Sequence, residues 1–302
     1  MKKVFVSIIN FNGKKNTQEC IASIEDSDLT DLNLTVIVSD NASKEEFNEK
    51  DISFKNIPFK FIKHEENLGF AQGHNDAIQY ALANGADYIL ILNNDVILDK
   101  NCLRELVKSF EDDVAIVSPK IYFAKGYEFH KDRYRKSELG KVIWYAGGEM
   151  DFLNVFGKHR GVDEVDHGQF DRETETDFAS GCCMMISSKA FGKVGSFDDK
   201  YFLYYEDNDL SQRLKKANFK ILYQPKAYLW HKNADSAGGS GSDLQDYYIT
   251  RNRLLFGFKF TPLRTKIALV RESLLILLNG RKWQKRGVVD FYLRNFGKGS
   301  YR

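Results

Sequence analysis

Residues 88–95 read Tyr-Ile-Leu-Ile-Leu-Asn-Asn-Asp. The run 88–92 is a strand by its length and apolar content, and it stops abruptly in two amides and a carboxylate. Polar groups just beyond the carboxyl end of a strand lie where open α/β sheets bind their ligands. Residues 4–9 are a continuous apolar run with β-branched residues, suited to a strand buried on both faces. Residues 34–38, 59–62 and 114–118 predict three more strands. Helical spacing fills the gaps: Cys20, Ile21 and Ile24 within 14–26, Ala77, Ile78, Ala81 and Leu82 within 70–83, and a further helix at 102–110. Gly85 supplies the stop of the second helix. Strand and helix in alternation call for a mostly parallel sheet covered by helices, an α/β fold.

Four polar clusters fall at predicted strand ends: Asn10-Phe11-Asn12, Ser39-Asp40-Asn41, residues 67–75 and Asn93-Asn94-Asp95. Any one of them alone is a loop, because Asn and Asp favour turns. Four along one sheet edge make a pocket. The chain lacks a Gly-x-x-x-x-Gly-Lys-Ser/Thr loop and a Gly-x-Gly-x-x-Gly after its first strand, which argues against ATPases and dinucleotide dehydrogenases. Asp95 suits a hard divalent cation that takes one or two carboxylates plus substrate phosphates. Asp40 can accept a hydrogen bond from a base N–H. Farther on, Tyr204-Tyr205-Glu206-Asp207-Asn208-Asp209-Leu210 opens a helix at 207–217 with three acids. The macrodipole stabilises negative charge there, but three acids exceed what capping needs, and a carboxylate at a pocket rim can act as general base. A lone histidine is ordinarily structural; His231, after a strand at 227–230, becomes a metal ligand if it faces Asp95.

The rest of the chain is less regular. Residues 120–175 are polar, with scattered aromatics, and read as an irregular insertion with short antiparallel strands. Strands are expected at 178–187, 220–223 and 227–230, a Gly/Ser loop at 237–242, and helices at 244–258, 263–278 and 283–296. This divides the chain into a body, 1–242, and a basic helical extension, 243–302. The net charge of +2 hides that division: from Arg251 onward there are 13 basic and two acidic residues, +11, against −9 for residues 1–250. Such asymmetry points to an anionic partner for one end. Four cysteines without Cys-x-x-Cys spacing indicate neither a disulfide framework nor a zinc site, hence a reducing compartment. The N-terminus reads as a first strand rather than a signal peptide, and no apolar run reaches the length of a spanning helix.

Four motifs, taken together and in order, resemble one family. They are Val-Ser-Asp-Asn-Ala-Ser (38–43), Asn-Leu-Gly-Phe-Ala-Gln-Gly-His-Asn (67–75), Leu-Asn-Asn-Asp (92–95) and Tyr-Glu-Asp-Asn-Asp-Leu (205–210). The pattern is similar to that of the family 2 glycosyltransferases, in the bacterial branch that includes rhamnosyltransferases, over roughly residues 3–257. The resemblance implies a GT-A fold, a nucleotide-sugar donor, a divalent cation (Mg2+ or Mn2+) and inversion at the anomeric carbon. Asp40 would contact the pyrimidine of a UDP- or dTDP-linked sugar, dTDP-rhamnose among them, with Asn10 and Asn12 beside it. The donor surface would also include Asn41, Asn67, Gly69, Asn75, Asn93 and Asn94. Asp95 would hold the metal together with His231, and Arg251 would lie near phosphate. Asp207 would deprotonate the acceptor hydroxyl, supported by Glu206, with Asp209 toward the acceptor. The departure is Asn93, which stands where the family's Asp-x-Asp motif has its first acid and adds no charge.

The resemblance further implies an acceptor that is a glycan or lipid-linked glycan of the bacterial surface, made on the cytoplasmic side of the membrane. The tail interleaves Lys266, Arg271, Arg281, Lys282, Lys285, Arg286 and Arg294 with Ile267, Leu274, Leu277, Leu278, Trp283, Val288, Phe291 and Tyr292. That mixture suits an anionic membrane surface, the competing arrangement being helices packed on the acidic body. No nucleic-acid recognition module is present. Two other function classes stay open: an inactive nucleotide-sugar or glycan-binding module, and a sugar nucleotidyltransferase, for which Asn10–Lys14 is a poor phosphate loop.

Overall fold

The computed structural model describes residues 1–233 and 241–301, so residues 237–240 of the expected Gly/Ser loop lie outside the described part. In chain order the elements are β1 (Lys2–Asn10), α1 (Lys14–Glu25), β2 (Leu32–Asp40), β3 (Phe59–Lys63), α2 (Gly69–Ala83), β4 (Tyr88–Leu92), β5 (Val96–Leu98) and α3 (Cys102–Lys108). Then follow β6 (Val114–Phe123), β7 (Ile143–Tyr145), β8 (Gly148–Asp151), β9 (Phe156–His159), β10 (Thr174–Glu175), β11 (Cys183–Ser187), α4 (Ser188–Val194) and α5 (Glu206–Lys216). The chain ends with β12 (Lys220–His231), α6 (Asp243–Phe260), α7 (Leu263–Asn279) and α8 (Lys282–Tyr292).

One sheet runs β10-β12-β6-β11-β4-β1-β2-β3, with β5 added beside β12 and β7 beside β6. Its long ladders are parallel: β1 with β2 and β4, β2 with β3, and β12 with β6. β11 enters between β4 and β6 antiparallel to both. Side chains alternate along each strand, so β1 serves two cores. Val4, Val6 and Ile8 pack with Cys20, Ile21 and Ile24 of α1 and Leu103 and Leu106 of α3. Phe5 lies in the opposite layer with Ala77, Ile78 and Ala81 of α2 and Leu210 and Leu214 of α5. All four cysteines are buried free thiols.

The expected fold class therefore holds, with local differences that have physical causes. The strand predicted at 178–187 begins only at Cys183. The two short strands at 220–223 and 227–230 are one strand whose register slips between Gln224 and Tyr228, around Pro225, which has no N–H to give the ladder. Residues 120–175 contain β7 and the β8–β9 hairpin and lay Trp144 and Tyr145 against the body.

The last three helices add a third cluster, in which Tyr201 and Tyr205 meet Leu254, Phe256, Leu269 and Val288. Arg251 is fully buried there, which corrects its expected place beside phosphate. Its guanidinium donates to the carbonyls of Gly297 (2.7 Å) and Lys200 (3.2 Å) and lies over the rings of Tyr247 and Tyr248. Replacing it with a chain of similar length that lacks donors leaves the Gly297 carbonyl without that donor and removes the cation from the two rings. Arg251→Met should therefore cost about 3 kcal/mol of unfolding free energy by urea titration.

Candidate active site

Three parallel strands deliver their ends to one level. Asn10 pairs in register with Asp40, and Ile8 with Leu92, so Asn10, Asp40 and Asn94 sit at neighbouring strand ends. A hydrogen-bond network joins them. Asn10 Nδ2 donates to Asp40 Oδ1 at 2.7 Å, and Ser43 Oγ donates to the same oxygen at 2.6 Å. Thr17 Oγ1 donates to Asn10 Oδ1 at 2.8 Å and accepts from Asn94 Nδ2 at 2.9 Å. Asn12, at a φ of 53°, accepts from Lys44 N and so pins the loop that carries Ser43. Asp40 is thus a buried, oriented acceptor at the pocket floor.

The motif at 67–75 bonds to Asn41 and to the main chain of Phe197 and Phe202. Asn41 donates to Asn67 Oδ1 and to the Gly69 carbonyl, both at 3.0 Å, and accepts from Leu68 N. Gly69 has φ +75°, and a Cβ there would stand 2.3 Å from the Phe202 carbonyl oxygen. That carbonyl accepts from Phe70 N at 2.7 Å. Asn75 makes a reciprocal pair with the main chain of Phe197, at 3.0 and 3.1 Å. Asn41, Gly69 and Asn75 tie the strand ends to residues 197–205 through these bonds.

Residues 197–205 lead into the acids. Tyr204 and Tyr205 both have positive φ, 71° and 74°, which bulky residues adopt only under constraint. Asn252 Nδ2 holds the carbonyls of Leu203 and Tyr204 at 2.8 and 2.9 Å, and Tyr205 Oη donates to Val155 O. The three acids then meet three environments. Asp209 is fully buried between Arg213 (2.6 Å) and Lys259 (2.6 Å), which corrects its placement toward the acceptor. Glu206 is buried with Oε2 unpaired, and desolvation, helped by nearby Asp207, raises its pKa well above the usual range. Asp207 is partly exposed; it accepts from Gly181 N (3.0 Å), Asn208 N (2.7 Å) and Asn208 Nδ2 (2.9 Å). Burial pushes its pKa up against those hydrogen bonds.

On the other side of the pocket, Asp95 Oδ1 and His231 Nε2 are 3.1 Å apart, and both residues are buried. Burial works against a charged imidazole, but the neighbouring Cys182 and Asp95 outweigh it and raise the His231 pKa to about 10. Trp144 meets the His231 ring edge-on at 4.7 Å. No group of three His, Cys, Asp or Glu side chains is arranged for a metal among the described residues. Asp95 and His231 are nonetheless two adjacent groups of suitable chemistry: a divalent cation that displaces the His231 proton and completes its shell with substrate phosphate and water fits that number. The Gly181–Cys182 dipeptide touches both sides: Gly181 N donates to Asp207, and the Cys182 carbonyl accepts from Asn93 N, two residues before Asp95.

The sequence profile described as Glycosyl transferase family 2 matches residues 5–195. The chain belongs to that family. It is 28% identical over 221 residues to a low-salt glycan biosynthesis hexosyltransferase of Haloferax volcanii, covering 72% of this chain and 66% of the relative. It is 44% identical over 66 residues, 22% of each chain, to an N-acetylglucosaminyl-diphospho-decaprenol L-rhamnosyltransferase of Mycobacterium tuberculosis. To a rhamnosyltransferase of Escherichia coli it is 26% identical over 171 residues, 54% of this chain and 60% of that one. The chain thus spans less than two thirds of the length of these relatives. A mannosyltransferase from Pyrobaculum calidifontis, solved with GDP-Man and Mn2+, superposes with a TM-score of 0.54 at 15% identity, covering 96% of this chain and 74% of that one. GalNAc-T7, solved with UDP, GalNAc and Mn2+, gives 0.62 at 15% identity, covering 97% and 57%. The fold is GT-A.

Sequence reasoning missed Gly181, Cys182 and Trp144. The first two look like the start of an apolar strand, and Trp144 lies far from any motif. Glu206 yields a pH test. Its folded pKa lies well above 4.5, so the folded state keeps a proton that the unfolded chain releases above that pH. Its contribution to stability is thus present below 4.5 and is lost as pH rises toward the folded pKa. Glu206→Gln should match the parent in thermal unfolding near about pH 4 and exceed it near about pH 8.

Proposed function

We propose that this chain is an inverting glycosyltransferase that moves a sugar from a UDP- or dTDP-linked donor, dTDP-rhamnose among the candidates, to a hydroxyl of a glycan or lipid-linked glycan. The observation that carries this reading is the Gly181–Cys182 dipeptide: Gly181 N donates to Asp207, and the Cys182 carbonyl accepts from Asn93 N, two residues before the Asp95 that pairs with His231. Inverting displacement needs a base on one face of the sugar and stabilisation of the leaving diphosphate on the other, roles that Asp207 and that pair would take. Asp207 takes the acceptor proton as the acceptor oxygen bonds to the anomeric carbon and the bond to the diphosphate oxygen breaks. Its raised pKa makes it a stronger base than an ordinary aspartate and places the acid limb of the rate profile above 3.8. Asp40, oriented by Asn10 and Ser43, takes the base N–H. Asp95 and His231 would hold Mg2+ or Mn2+, which when bound supplies positive charge to the diphosphate. Asn93 can hydrogen-bond ribose or phosphate but leaves Asp95 as the one carboxylate of that motif.

The relatives named as rhamnosyltransferases and the decaprenol carrier in one of those names support the donor and acceptor classes. The lipid carrier in that name also favours action beside a membrane, for which we propose the cytoplasmic face. No helix among the described residues is long and apolar enough to cross one.

Purified protein, a panel of UDP-, dTDP- and GDP-sugars and a lipid-diphosphate acceptor test the assignment. Asp207→Asn should lower kcat by about a thousandfold while donor affinity stays within about twofold. Asp95→Ala should instead weaken donor binding and abolish its response to chelator. Undiminished turnover by Asp207→Asn removes that residue from the role of base.

A further inference from the structure

α7 is amphipathic the wrong way round for a helix packed on a core. Toward the body it presents Thr265, Leu269 and Ser273, all buried. Toward solvent it presents Leu263 (72% exposed), Ile267 (54%), Leu274 (58%) and Leu278 (71%), with Val270 and Leu277 also exposed. At 100° per residue these six fall within about 100° of arc. The stripe has cationic edges: Lys266 borders one side, Arg271 and Arg264 the other. Soluble surfaces rarely keep an apolar stripe of that length bare, so the face has an occupant.

Charge selects which one. At the carboxyl end of α7, Lys285 Nζ donates to Leu278 O, and an open groove of about 570 Å³ continues from there, lined by Lys282, Trp283, Lys285, Arg286, Val289 and Ser300. Exposed Tyr292 and Leu293 extend the apolar surface on α8. A second copy is a poor occupant, because a self-complementary contact would bring the cations bordering one stripe toward those of the other. An interface with apolar depth and negative headgroups answers both features. We propose that α7 lies in the plane of an anionic membrane, with the 263–278 stripe in the acyl boundary and its bordering lysines and arginines, together with the α8 groove, on lipid phosphates. The inference concerns a surface remote from the acids and stands whether or not the transfer chemistry is as proposed.

Flotation of the full chain with phosphatidylcholine vesicles, with or without phosphatidylglycerol, tests it. Binding to the phosphatidylglycerol vesicles should be at least about tenfold tighter and should weaken as salt rises. Leu274→Glu should lower vesicle affinity by about tenfold or more. Lys266→Glu and Arg271→Glu should each lower it by about fivefold or more. Circular dichroism and the thermal midpoint should not move, since none of these three side chains is buried. Equal binding to both vesicle types, absence of binding at low salt, or wild-type affinity in Leu274→Glu overturns the proposal. So does a wild-type dimer in sedimentation equilibrium that Leu274→Glu dissociates, because the stripe is then covered by a second copy.

Discussion

The backbone of residues 197–205 is the constraint on which the site depends. This segment is neither helix nor strand, and it passes through two consecutive left-handed tyrosines before α5 begins. Its carbonyls have no ladder to join, so each needs a donor from elsewhere. Asn75 and Phe70 of α2 supply Phe197 and Phe202; Arg251 and Asn252 of α6 supply Lys200, Leu203 and Tyr204. Remove either helix and the direction in which Glu206 and Asp207 leave the loop is no longer fixed. The last three helices are thus part of what shapes the site, although their residues face away from the proposed chemistry. Two motifs that look like ligand-binding signatures are legible because they recognise main chain. A left-handed glycine, an asparagine that caps a strand end and an arginine threaded among carbonyls each have few substitutes.

The same segment explains how three acids within four residues behave differently. All three sit in the first turn of α5, where the helix dipole favours negative charge equally. Their surroundings separate them. Two cations neutralise Asp209, burial without a partner raises the pKa of Glu206, and Asp207 keeps main-chain donors together with access to solvent. A helix start with three interchangeable carboxylates would make a diffuse anionic patch; here the three differ in burial and in partners.

The sequence made the doubly covered sheet legible because strand and helix periods are local properties. Residues 4–9 and 88–92 could hardly be anything but buried strands, and the amides after them mark the sheet edge. Contacts made by chain closure were not legible. Cys182 meets Asn93 only because β11 runs antiparallel beside β4, and nothing near residue 182 announces that pairing. Trp144 belongs to a stretch without periodicity, so its position against His231 had no local signal. Asp209 and Arg251 misled for the opposite reason. Charged residues beside a pocket motif suggest ligand contact, yet both are spent on burying the loop, and a fully buried ion pair or carbonyl-bound guanidinium cannot be told from an exposed one by residue type.

The charge division can now be taken apart. The tail's excess of +11 is not one feature. Arg251 and Lys259 serve the loop that carries the acids, through the Lys200 carbonyl and through Asp198 and Asp209, while Arg253 bonds Glu272 and the Asn154 carbonyl. What remains at the surface is concentrated on α7 and α8, around a row of leucines that a purely charged tail would not need. Long-range attraction to an acidic body would leave such side chains bare and be screened within about 8 Å at physiological salt. Apolar burial and headgroup pairing are both short-ranged, and the proposed membrane surface offers the two together.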